Sequence, residues 1–112
     1  MTFDATCKLM KKNGTQWLTE EKHITDIASL RDIFGENGNN LEQIYLDEEH
    51  KHILYYSLGF LNGGIDGRTI DDHNMEVMLV APILFVQADT EKPINITDTD
   101  FEWMKSRCDL YG

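Results

Sequence analysis

His52-Ile53-Leu54-Tyr55-Tyr56-Ser57-Leu58-Gly59-Phe60 places apolar or aromatic side chains at both odd and even positions. Successive strand residues point to opposite faces, so a strand built from this stretch buries both faces and belongs inside a sheet. Just upstream, Ile44 and Leu46 alternate with Gln43, Tyr45 and Asp47, and the polar Asp47-Glu48-Glu49-His50-Lys51 joins the two runs as a hairpin. Tyr55 and Tyr56 must point in opposite directions, which sets one of them off the side that helices cover.

Working outward, Phe3, Ala5, Cys7 and Leu9 alternate with Thr2, Asp4, Thr6 and Lys8, the period-two pattern of a strand with one buried face. Lys12-Asn13-Gly14-Thr15 follows as a tight turn, and Gln16 to Thr19 returns as the second strand. Beyond Glu20-Glu21-Lys22 the spacing becomes helical, with Ile24, Ile27, Leu30, Ile33 and Phe34 on one stripe. Thr25 or Asp26 caps its start, His23 sits at its entry, and Gly35 supplies its positive-φ stop. Asn62-Gly63-Gly64-Ile65-Asp66-Gly67-Arg68-Thr69 is the strongest loop signal, read as an exposed connector. Met75 to Val86 is again β-rich but interrupted at Pro82, which donates no ladder hydrogen bond. A second helix starts at Thr97 or Thr99, where Thr99 and Glu102 have capping-box spacing, and puts Phe101, Met104 and Cys108 on one face.

The order β-β-α-β-β-β-α has too few helical crossovers for a parallel sheet. The expectation is one α+β domain over residues 1–112, an antiparallel meander of about five strands with two helices on one face.

Charge restricts the partners. The 112 residues hold 10 Lys and Arg against 20 Asp and Glu, a net charge of −10. Between Ser57 and Met104 only Arg68 and Lys92 oppose nine acids. Nucleic-acid affinity comes largely from cations neutralising phosphates, so direct nucleic-acid binding is excluded and a basic protein is favoured. Two cysteines without a disulfide framework, and an apolar run from Val77 to Val86 broken by Pro82, lead us to expect free thiols, no membrane association and a cytoplasmic location.

Chemical motifs are few. Asp47, Glu48, Glu49, His50, His52, Asp71, Asp72 and His73 supply oxygen and nitrogen donors, and His50 and His52 would share a face in a strand. No metalloprotease helix motif or paired-cysteine motif accompanies them, so no metal is expected. Cys7 and Cys108 fall on apolar faces and are read as inert. The glycine-rich loop lacks the Lys-Ser/Thr of a phosphate cradle, so no cofactor is expected.

These observations favour a non-enzymatic protein-binding domain presenting acids and aromatics to a basic partner, with Asp66, Asp71, Asp72, Glu76, Tyr55 and Tyr56 as candidate contacts. Immunity proteins, phage or bacterial inhibitors of nucleic-acid enzymes, and DNA mimics share this logic. The alternative is a small assembly subunit that forms a homodimer or larger particle through its sheet. A third reading is a metal-dependent enzyme using the Asp/His cluster.

Overall fold

A computed structural model describes residues 2–112. Among the described residues nine strands are present: β1 (Ala5–Asn13), β2 (Gln16–Ile24), β3 (Leu41–Tyr45), β4 (His52–Ser57), β5 (Gly67–Ile70), β6 (Glu76–Leu79), β7 (Ile83–Asp89), β8 (Lys92–Ile94) and β9 (Cys108–Leu110). Two α-helices, α1 (Ile27–Asp32) and α2 (Asp98–Ser106), and 3-10 turns at Gly35–Asn40 and Leu58–Gly63 complete the chain. With 45% of residues in strands and 24% in helices, the class is α+β, as the sequence pattern implied.

The main sheet runs β2-β1-β7-β4-β3, with β8 also paired to β7, and every pairing is antiparallel. β4 is an interior strand, flanked by β7 and β3. The centre of the sheet, however, is β7, whose Ile83, Phe85 and Leu84, Val86 fill opposite faces. The order is therefore not a meander: β1 pairs with β7, far along the chain, because Ile83–Val86 is apolar on both faces and gains most from a central place. β5, β6 and β9 form a separate sheet in the order β6-β5-β9.

Both faces of the main sheet are covered. On one, Leu30 of α1 and Phe34 pack on Ala5, Cys7, Leu9, Ile53, Tyr55, Leu84 and Val86. On the other, Phe101 and Met104 of α2, with Leu79 of the small sheet, pack on Leu54, Tyr56, Ile83 and Phe85. The expectation that both helices share one face is corrected here. A six-residue α1 cannot cover a face alone, and a second apolar face has to be buried as well.

Local signals explain several boundaries. β1 and β2 join through Gly14 and Thr15, which link the paired Asn13 and Gln16, and of the two only Gly14 takes a positive φ (65°), as a II′ hairpin turn requires at its first central position. Asp26 and Ser29 form a capping box at α1, and Gly35 at φ 61° stops the helical turn. The Glu20-Glu21-Lys22 cluster lies within β2, an outer strand, where charges discourage pairing with another chain. His23 belongs to this strand and faces Asp4, instead of marking the entry to α1. Thr97, not Thr99, caps α2, accepting from the Asp100 N–H at 3.1 Å. Cys108 leaves that helix and begins β9.

Candidate functional site

The acids and tyrosines singled out from sequence do not form one surface. Asp66 accepts the Ala81 N–H at 2.8 Å and lies 3.5 Å from Lys12 Nζ, its side chain only 17% exposed. Asp71 Oδ1 accepts the N–H groups of His73 and Met75, each at 2.9 Å, and so shapes the β5–β6 turn. Asp72, 8% exposed, meets His50 Nε2 at 3.1 Å, while its backbone N–H bonds to Tyr45 O. Only Glu76 is freely placed, on an exposed strand position 3.4 Å from Arg68 Nη1.

Tyr55 and Tyr56 point to opposite faces, as alternation demands, but each face has its own core and both rings are buried. Burial pushes the Tyr55 hydroxyl up to about 12 and raises that of Tyr56, with Glu42 adding to the latter. The expectation of a tyrosine off the core side fails because α2 and the small sheet cover what a one-sided packing would have left open.

The Asp/His set is divided as well. His50 lies in the β3–β4 loop at φ 59° and stacks on Tyr45 with ring centres 3.7 Å apart, whereas His52 starts β4 and meets Trp103 of α2 at 4.6 Å with the rings tilted by 44°. The shared face expected of these two histidines requires both to lie in a strand, and His50 does not. His52 Nε2 donates to Asp100 Oδ1 at 2.7 Å, and its Nδ1 stands 3.5 Å from Asp47 Oδ1 without a hydrogen bond. A carboxylate at Asp100 can only accept, so a neutral ring leaves the lone pair of Nδ1 facing Asp47. Hydrogen bonds to the Thr97 hydroxyl, and then to His52, hold the Asp100 carboxyl below the usual carboxylate range. This arrangement ties α2 to the start of β4. Among the described residues no group of three or more His, Cys, Asp or Glu side chains is arranged to hold a metal ion.

The thiols are withdrawn from chemistry. Burial pushes Cys7 up to about 12 and Cys108 up to about 11, and their Sγ atoms donate to Lys22 O and Met104 O, each at 3.5 Å.

A candidate contact surface does emerge on the small sheet. Its inner residues Val77, Leu79, Cys108 and Leu110 join the core, so alternation turns Arg68, Ile70, Glu76, Met78 and Asp109 outward. Ile70 is 40% and Met78 44% exposed, and Met75, just before β6, is 62% exposed. Arg68, on the central strand, lies 3.4 Å from Glu76 and 3.3 Å from Asp109, so its charge is answered within the face. A shallow depression of about 290 Å³ lies beside it, lined by Arg68, Thr69, Ile70, Glu76, Arg107 and Asp109. Sequence reading found Glu76 here but missed Ile70, Met75 and Met78. Their signal was present in Glu76-Val77-Met78-Leu79, where the apolar residue on the outward face breaks the usual polar alternation.

No protein-family model, curated protein or solved structure matches this chain, so its functional reading rests on its own residues.

Proposed function

We propose that this is a non-enzymatic binding protein that holds a basic partner protein against the outer face of the small sheet. One observation carries the reading: Ile70 and Met78 stand exposed on a single sheet face, beside Met75 and within a frame that includes Glu76 and Asp109. Exposed methionine and isoleucine supply adaptable apolar contact, and on the strands of this face Glu76 and Asp109 outnumber Arg68, which favours a basic partner. The net charge of −10 favours a basic partner over the molecule as a whole. The weakly acidic thiols, Cys7 buried and Cys108 half-buried, support a binding role over nucleophilic catalysis.

Inhibitors of basic toxins and mimics of DNA act through surfaces of this kind, and an inhibitory role is part of the proposal. So is a reducing, cytoplasmic setting, which suits two free cysteines.

Capture from native lysate tests it, comparing the wild-type chain with the Met75→Ser/Met78→Ser variant. Full burial of a methionine contributes about 1.5–3 kcal/mol, so two half-exposed ones lost together weaken binding by more than about tenfold. The captured protein is expected to be basic and released by salt. Equal recovery on the variant refutes the proposal. So does light scattering that finds a stable homo-oligomer dissociated by the same substitutions, which assigns the face to assembly.

A further inference from the structure

On the face of the main sheet that α1 covers, packing stops short of closure over β4. A hollow of about 370 Å³ lies there, walled by Ile27 and Leu30 of α1 and Tyr45 of β3, with Ile53 and Tyr55 of β4 beneath. A second hollow of about 140 Å³ adjoins it and shares Ile27, Leu30, Gln43 and Tyr55. Tyr55 is only 8% exposed, yet its hydroxyl makes no hydrogen bond among the described residues. Among those residues His52 Nδ1 is the one fully enclosed side-chain nitrogen or oxygen without a partner. The Tyr55 hydroxyl therefore reaches open space, and the hollows that Tyr55 lines are that space. Its acidity, pushed up to about 12 by burial, keeps it an uncharged O–H donor at neutral pH. Beside it the Tyr45 hydroxyl accepts from Gln43 Nε2 at 2.9 Å, which leaves its own proton to donate.

We infer that this hollow binds an uncharged, mostly apolar small molecule, which turns a carbonyl oxygen to the Tyr55 hydroxyl. Buried polar groups are almost always hydrogen-bonded, so a buried hydroxyl that faces a hollow instead of a protein partner is suited to a ligand's acceptor. Small-molecule sites span about 300–1,000 Å³, are mostly apolar, and carry a few converging polar groups. Ile27, Leu30 and Ile53 supply the apolar surface here, and Tyr55 and Tyr45 supply the donors. The occupant is uncharged because an ionised group would leave water for apolar walls and neutral hydroxyls. Arg31 and Glu91, the charged residues that line the hollows, are both exposed, so their own charges stay in water. The site lies across the main sheet from α2, apart from the small-sheet face, and stands or falls separately from the function proposed above.

The probes are 2-acetylnaphthalene, which carries a ketone, and naphthalene, which has no acceptor. Methyl resonances of Leu30 and Ile53 are followed by NMR as each is added to the full chain. Both should shift with the ketone at a Kd of about 1 mM or tighter, while Ile70 and Met78 on the small sheet stay unmoved. Tyr55→Phe keeps the ring and removes the donor. It should weaken the ketone about fivefold, the worth of one neutral hydrogen bond, and leave naphthalene unchanged. If that variant does not fold, Ile27→Trp keeps the test open: the position is 50% exposed, and the larger ring should fill the hollow and abolish binding of both probes. The inference is overturned if Leu30 and Ile53 do not respond to the ketone, or if Tyr55→Phe or Ile27→Trp binds it as the wild type does. Equal shifts at Ile70 and Met78 overturn it as general apolar adsorption. The same methyl shifts on concentrating the protein alone also overturn it, because they make a second copy the occupant.

Discussion

Replacing Asp66 tests whether an acid on a glycine-rich connector is a surface charge or a structural one. A solvated loop carboxylate contributes little to stability, so on composition alone Asp66→Ala would be silent. In the fold its Oδ2 accepts the Ala81 N–H at 2.8 Å, just where the chain passes from the small sheet to the main one, and Oδ1 lies 3.5 Å from Lys12 Nζ. Losing a hydrogen bond to a charged acceptor and leaving the N–H part-buried costs about 1.5–3 kcal/mol. The Lys12 pair, with both side chains about four-fifths buried, adds at most about 1 kcal/mol. The expected loss for Asp66→Ala is therefore about 1.5–4 kcal/mol, or roughly 6–16 °C in melting temperature for a chain of this length. Asp66→Asn keeps an acceptor for Ala81 and should lose about 1 kcal/mol. Glu76→Ala, whose partner Arg68 is exposed, should stay within about 0.5 kcal/mol. Urea unfolding followed by far-ultraviolet circular dichroism gives all three values. An Asp66→Ala midpoint equal to that of Glu76→Ala would refute the structural role. If the role holds, neutralising Asp66, Asp71 and Asp72 together is no clean probe of partner binding, because all three also hold backbone or side-chain partners.

Leu30→Ala should destabilise by about 2–5 kcal/mol in denaturant unfolding, whereas Ile27→Ala, at a position 50% exposed, should cost under about 1 kcal/mol. Because Asp100 is held below the ordinary carboxylate range, its ionised form stabilises the fold above the unfolded value of about 3.9, and that stability is lost as pH falls through the lower folded value. Urea midpoints measured from pH 6 downward should accordingly fall less steeply for Asp100→Asn than for the wild type. Ellman's reagent at pH 8 should leave Cys7 unlabelled in the folded protein, label the half-buried Cys108 slowly, and label both in 6 M guanidinium; fast labelling of both thiols in native protein would show that Cys7 is not buried as described.

Long, strongly patterned segments were legible in the sequence and short ones were not. The alternation Phe3, Ala5, Cys7, Leu9 and the two-faced run through Tyr55 and Tyr56 located β1 and β4, because periodicity over many residues leaves one solution. β5, β6 and β9, at three or four residues each, carry too few alternations to separate a second sheet from loop and helix end, so Cys108 read as helical. The placement of α2 opposite α1 depends on β7 pairing with β1 across some seventy residues of chain, a contact that local pattern does not encode. The same limit governs the site. Acidity was visible, but whether Asp66, Asp71 and Asp72 faced solvent or backbone N–H groups depended on tertiary neighbours such as Ala81, and the outward Met78 became meaningful only once Val77 and Leu79 were seen to face the core.

The central claim, that the outer face of the small sheet holds a basic protein, is most directly tested by a hydrogen-exchange footprint of the complex recovered from native lysate. Protection is expected over residues 67–79 and 108–110, present at low salt and lost as the partner is released by high salt. Protection that leaves these segments exchanging as in the free protein would contradict the claim.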